Sequence, residues 1–161
     1  MSLKIVQIKV DETLPINPEN IADNLVLNRD QVWSGLMLKV YDATPFVPLM
    51  TACKVTDELE NGIVRNIVFD NMSLRERIIF YPKTKVEFIR VGFGDEMGTI
   101  WNEIIGDYDR QLKLRFAFNL EVADLSSNAE KDYRERRAIG YLKAVHATIN
   151  QIRDMHSAGE I

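Results

Sequence analysis

Glu76 and Arg90 are the residues of this sequence best placed to do chemistry. They lie on two apolar-patterned stretches, Leu74 to Tyr81 and Lys85 to Val91, joined by the turn Pro82-Lys83-Thr84. If Phe80 faces Val86 across that turn, antiparallel pairing sets Ile78 opposite Phe88 and Glu76 opposite Arg90, all on one face. That face is apolar apart from one acid and one base. Within a cavity the two could hold each other's charge and offer oxygens or N–H donors to a polar ligand head, because a buried carboxylate requires a partner. Ion pairs across strands also occur with no role beyond structure. Both readings stand at this point.

Aromatic and sulfur side chains form the second group: Trp33, Met37, Tyr41, Met50, Phe69, Phe88, Trp101, Phe116, Phe118 and Tyr141, with Val145 one helical turn after the last. Pockets for small apolar molecules are lined in this way, and so are ordinary cores. Glu103 shares a strand face with Trp101, and Tyr41 and Tyr81 are candidate hydroxyl donors. His146 sits one position off an apolar helical stripe, where it is either a base at the cavity edge or an exposed helix residue. The run Glu130 to Arg137 alternates in sign with i,i+4 partners and reads as a solvated helix face.

The elements that must position these groups are mostly strands. Leu3 to Glu12 alternates as a first strand, and Pro15 and Pro18 end it. Asn28 followed by Gln31 is a capping box that starts a helix near Arg29 and carries it to about Asp42, with Val32, Trp33, Leu36, Met37, Val40 and Tyr41 as its apolar face. Pro45 and Pro48 allow only a short turn before a strand from Ala52 to Glu60. Asn61-Gly62 signals a hairpin into Ile63 to Asp70. A two-residue loop there sets Leu59 opposite Val64 and turns Val64 and Val68 inward, whereas the larger Ile67 and Phe69 argue for the other face. A bulge would reverse the assignment, so the facing of Arg65, Ile67 and Phe69 is open.

After the Leu74 to Val91 hairpin, Gly92, Gly94 and Gly98 mark a glycine-rich linker into strands at Met97 to Ile105 and Leu112 to Val122. The last strand alternates through Leu112, Leu114, Phe116, Phe118, Leu120 and Val122. Ser127 and Glu130 form a second capping box, opening a helix from about Asn128 to Ser157 with a stripe of Ala138, Tyr141, Leu142, Val145, Ile149 and Ile152. Seven strands joined largely by short turns, with helices on one face, make an α+β domain that spans residues 1–161. The sheet should curve around the terminal helix.

Composition narrows the function. A net charge of −4 with interspersed signs lacks the footprint of a nucleic-acid binder. No apolar run reaches the length of a membrane span, so no membrane insertion is expected and the protein is read as cytoplasmic. The single Cys53 excludes an internal disulfide and reads as a small buried residue. No nucleophile elbow, phosphate-binding loop or metal-ligand cluster occurs, and neither a metal nor a cofactor is expected. The acidic surface and edge strands permit a homodimer.

The element order, Trp33-Ser34-Gly35-Leu36 on the first helix, Pro45-Phe46-Val47-Pro48 after it, and Glu76-Arg77-Ile78 leading to Tyr81-Pro82 and Val86-Glu87-Phe88 resemble the AtaL-like family of the START-like, Bet v 1-like (SRPBCC) superfamily. The resemblance spans essentially the whole chain. It implies a helix-grip fold: a seven-stranded antiparallel sheet wrapped around the C-terminal helix, with two short helices after strand 1 closing an internal hydrophobic cavity. It also implies a small apolar or amphipathic partner, a lipid, polyketide or aromatic metabolite, that is bound or carried. The alternative is a polyketide cyclase/aromatase-like or isomerase-like enzyme using a cavity acid or base.

Overall fold

In a computed structural model, which describes residues 5–92, 96–123 and 127–161, the chain forms seven strands and two α-helices. They run β1 (Ile5–Pro15), α1 (Arg29–Tyr41), β2 (Met50–Leu59), β3 (Gly62–Phe69), β4 (Met72–Tyr81), β5 (Lys85–Val91), β6 (Glu96–Ile105), β7 (Lys113–Ala123) and α2 (Ser127–Ser157). The strands make one antiparallel, curved sheet in the order β1-β7-β6-β5-β4-β3-β2. Of the two short helices expected after β1, the first is a single 3₁₀ turn, Asp23–Leu25. The Ser127 and Glu130 side chains, which would make the second capping box, are not described, and the Phe93 to Asp95 part of the glycine-rich linker lies outside the described residues.

Local chemistry accounts for the elements. In α1 both capping-box bonds form: the Gln31 N–H donates to Asn28 Oδ1 at 2.8 Å, and the Asn28 N–H to Gln31 Oε1 at 2.9 Å. β1 continues past the expected end at Glu12, because it is an edge strand and Pro15 is its last residue, opposite Lys113. The inward residues Leu114, Phe116, Phe118, Leu120 and Val122 of β7 are all buried. α2 lays Tyr141, Ala144, Val145 and Ile152 against them, whereas Leu142, expected in that stripe, is exposed. At Gly35 of α1 an added Cβ would come within 2.4 Å of Ile152, so the two helices approach closely there.

The β2–β3 hairpin differs from the expected register. Leu59 pairs with Gly62, Asp57 with Val64, and the ladder slips between Val55 and Asp57. Gly62 is already in the strand with its φ outside the left-handed region, and an added Cβ would lie 1.9 Å from the Ile78 carbonyl oxygen. The residue is glycine here for close backbone approach. The turn with two left-handed residues is instead Asp70-Asn71, with φ of 48° and 63° between the paired Phe69 and Met72. With this register Ile63, Arg65, Ile67 and Phe69 all face inward, and Val64 and Val68 are half-buried on the other side.

Rows of inward side chains cross the sheet. Ile63, Ile78, Phe88, Ile100 and Phe118 are consecutive partners in one row, and Arg65, Glu76 and Arg90 in the next. The first is an apolar floor; the second places three charged groups side by side beneath α2.

A buried polar cluster between sheet and helix

β4 and β5 pair as the sequence predicts, Phe80 with Val86, Ile78 with Phe88 and Glu76 with Arg90. Glu76 is 2 % exposed and Arg90 3 %. Glu76, however, forms an ion pair with Arg65 on its other flank. Arg65 Nη2 lies 2.9 Å from Glu76 Oε1, and Arg65 Nε donates to the same oxygen at 3.0 Å. Arg90 Nη2 donates to the Tyr141 hydroxyl at 2.6 Å, tying the sheet to α2. Tyr141 in turn stacks on Phe69 at 5.5 Å between centroids and tilts against Phe116 and Phe118.

Arg65 also reaches α1. Its Nη1 donates to the carbonyl oxygens of Lys39 and Val40 at 3.0 and 2.8 Å, satisfying two acceptors at the helix C-terminus, where a cation is favoured. This bond network fixes α1 so that Lys39 faces inward, 6 % exposed, with Nζ donating to Asn102 Oδ1 at 2.7 Å. Lys39 and Arg65 lie 5.3 and 5.4 Å from the centroid of the Phe88 ring, whose face stabilises cations. Burial, reinforced by the nearby Arg65 charge and only partly opposed by Glu76, pulls the Lys39 amine down to about 7.

These groups enclose a cavity of about 40 Å³ lined by Lys39, Arg65, Glu76, Arg90 and Tyr141 among apolar residues that include Ile67, Phe69, Phe88 and Ile100. That is room for roughly three waters, well below the approximately 300–1,000 Å³ of a pocket for a drug-sized molecule. Surface grooves of about 490, 560 and 220 Å³ are larger, the first two of them wide open. The inner cavity is lined by buried charged side chains, whereas the polar side chains along the grooves are exposed or half-buried.

The sequence-derived candidates divide accordingly. Phe69, Glu76, Phe88, Arg90 and Tyr141 line the cavity; Phe116, Phe118 and Val145 are buried without lining it. Trp33 and Met37 are half-buried against the core. Tyr41 is 44 % exposed and hydrogen-bonds Glu58 at 3.3 Å, because the buried face of α1 is centred on Val32, Gly35, Leu36, Lys39 and Val40. Trp101 and Glu103 fall on the outer face, where Glu103 pairs with Arg115. Tyr81 and His146 are exposed. Cys53 is half-buried, its sulfur 3.6 Å from Arg65 Nη1. Arg137, read as part of a solvated run, is buried with Nη1 3.2 Å from Asp70 Oδ2.

Lys39 and Asn102 were not singled out by sequence patterning, and the facing of Arg65, left open there, is inward. For Lys39 the available signal was its i+3 and i+4 spacing from Leu36 and Gly35; for Arg65 it was alternation with Ile63, Ile67 and Phe69.

Residues 10–159 match the family model described as AtaL, acetylaranotin biosynthesis cluster protein L. No curated protein sequence matches the chain. Among solved structures it is similar to the Zhui aromatase/cyclase from a Streptomyces species, at 11 % identity and TM-score 0.67, over 96 % of this chain and 94 % of that one. The di-domain aromatase/cyclase StfQ from the steffimycin biosynthetic pathway aligns at 8 % identity and TM-score 0.72, over 94 % of this chain but 52 % of StfQ, so this chain spans about half of that protein. A norcoclaurine synthase point mutant from Thalictrum flavum, in complex with a transition-state analogue, aligns at 10 % identity and TM-score 0.62, over 98 % and 99 % of the two chains. At such identities the likeness establishes the helix-grip fold and nothing finer. No helix among the described residues is long and apolar enough to cross a membrane.

Proposed function

The chain belongs to the AtaL family, and from that premise we propose that it binds a small, mostly apolar molecule between β3–β6 and α2, with an oxygen-bearing head held by the buried polar cluster. The observation that carries this reading is the convergence of Lys39, Arg65, Glu76, Arg90 and Tyr141, each more than nine-tenths buried, on one otherwise apolar cavity. Burying so many charged groups is unfavourable for stability alone, and apolar replacements of buried ion pairs often stabilise proteins. A ligand head recovers part of that loss by supplying hydrogen bonds inside a low-dielectric site.

The cavity is small, so admission of a lipid, polyketide or aromatic metabolite requires it to widen. The segment between α1 and β2 is the natural place. It covers the cavity with Val47 and leans Leu49, 42 % exposed, on Gly140 of α2 at 3.6 Å from where a Cβ would lie. The test is thermal shift and native mass spectrometry with anilinonaphthalene sulfonate, fatty acids and aromatic polyketides. Binders that stabilise the wild type and lose affinity in Tyr141→Phe or Arg90→Met support the reading; a panel with no binder overturns it.

A second reading, an aromatase/cyclase-like or isomerase-like enzyme, draws on the Zhui and StfQ likenesses and on the lowered basicity of Lys39. Its earlier candidates change. Tyr41, Tyr81 and His146 lie outside the cavity and Glu76 is held in an ion pair with Arg65, which leaves Lys39 as the group on the wall suited to proton transfer near neutral pH.

A further inference from the structure

Lys39 forms no ion pair among the described residues, yet it lies on the wall of the cavity. Its Nζ is held by one hydrogen bond, to Asn102 Oδ1, and is otherwise flanked by the Phe88 ring and the Arg65 side chain. A lysine that is desolvated beside another cation is in the setting that turns an ammonium into a nucleophilic amine. Asn102 supplies a second, independent observation. It is 0 % exposed, and its Nδ2 has no hydrogen-bond partner among the described residues. A buried donor of that kind is unfavourable unless an oxygen reaches it, and it belongs to the same side chain that anchors Nζ.

We propose that Lys39 condenses through Nζ with the aldehyde or ketone carbon of a small molecule held in this cavity, forming a Schiff base. The proposal rests on the binding reading above and specifies the ligand as a carbonyl compound. In the first step the Nζ lone pair forms the bond to carbon, the carbonyl π pair moves to oxygen, and one Nζ proton is transferred to that oxygen. In this scheme the otherwise unpartnered Asn102 amide N–H, on the side chain that holds Nζ, donates to the hydroxyl so formed. In the second step the C–O bond breaks, and water leaves with the hydroxyl and the remaining Nζ proton. A C=N bond stays behind, with no oxidant or reductant consumed. The groups facing Lys39 are Arg65 on β3, Glu76 on β4, Arg90 on β5 and Tyr141 on α2, with the neutral Asn102 on β6. Arg65 disfavours protonation of the amine and Glu76 favours it, burial being the larger influence.

The test uses acetaldehyde, whose three heavy atoms suit the unexpanded cavity, with cyanoborohydride to reduce any imine to a stable ethylamine. At pH 7 an ordinary lysine is a free amine in roughly one part in two thousand, against about half for an amine titrating near 7. Peptide mapping is therefore expected to show ethylation at position 39 on the order of 100-fold faster than at other lysines, rising from pH 6 to 8 and then levelling, and abolished at that position in Lys39→Met. Uniform labelling that follows surface exposure, or an unlabelled Lys39 in the folded protein, overturns the proposal, and the wild-type pH profile decides it even if the variant misfolds. The same samples are titrated with anilinonaphthalene sulfonate, which has no carbonyl. Stabilisation of wild type and variant alike without ethylation at 39 rejects the Schiff base and leaves binding standing. Absence of both stabilisation and ethylation rejects the two together.

Discussion

Two clusters of arginine and carboxylate lie on opposite faces of the same sheet. On the outer face Arg115 of β7 donates to Asp11 Oδ1 and Oδ2 on β1 at 3.0 and 2.8 Å, and to Glu103 Oε1 on β6 at 3.1 Å. On the inner face Arg65 pairs with Glu76 at 2.9 Å. The bond lengths are alike, but the Arg115 and Asp11 side chains are 40 % and 57 % exposed while Arg65 and Glu76 are 2 % and 3 %. Outside, water screens each charge and the cluster is an ordinary surface bridge. Inside, removing any member leaves its partner stranded, and the neighbouring Lys39 amine is displaced far from its usual basicity. The same residue types thus serve as strand fastening on one face and as a tuned polar site on the other.

The largest predicted contrast comes from deleting one carboxylate charge on each face. Glu76→Gln should lower unfolding free energy by about 3–5 kcal/mol, because Arg65 remains buried without a counter-charge. Glu103→Gln should change it by less than about 1 kcal/mol. Urea unfolding of the two variants measures this, and equal losses would erase the distinction.

The pH dependence is next. Lys39 titrates at about 7 when folded and at 10.5 in its ordinary state, so between those values the unfolded chain holds the extra proton and stability rises with pH. The rise attributable to Lys39 is roughly 2 kcal/mol between pH 7 and 9. It should vanish in Lys39→Met, whose midpoint at pH 7 should equal or exceed that of wild type. A pH-independent wild type would mean that the amine stays charged in place.

Tyr141→Phe keeps the aromatic stack and removes the hydroxyl that accepts from Arg90, with an expected loss of about 1–2 kcal/mol by thermal unfolding. Smallest of all, Asp11→Asn should cost less than about 1 kcal/mol at low salt, and the difference should disappear at 1 M salt. Arg115 holds the Asp11 carboxyl below its usual range by hydrogen bonding. The outer contribution is therefore present above the ordinary aspartate pKa and fades as acid protonates the group, a window on the opposite side of neutrality from that of Lys39.

Legibility in the sequence followed the same division. The register that sets Glu76 against Arg90 was readable, because the turn at Pro82-Lys83-Thr84 and two alternating strands leave little freedom. So was β7, whose inward residues alternate without a break. Arg65 was ambiguous because of the bulge between Val55 and Asp57: the turn at Glu60-Asn61 shifts the pairing by two residues and keeps the faces, whereas the one-residue bulge exchanges them along β2. Lys39 was hidden for another reason. Periodicity assigns charged residues to the solvent face, and only contacts distant in sequence, from Arg65 and Asn102, make an inward lysine tenable. The apolar framework is a local pattern; the polar site is a set of long-range exceptions to it.

One side chain ties framework and site together. Arg65 donates to the backbone oxygens of Lys39 and Val40 while its charge helps keep the Lys39 amine neutral. A single guanidinium is therefore both the hinge pin of α1 and the dial on the amine it carries. For anyone redesigning this pocket, the two properties are inherited as a unit: substitution at 65 moves the lysine as well as retuning it. Control of its basicity without moving its backbone is open through Asn102 or Phe88, which touch the side chain and leave its backbone alone.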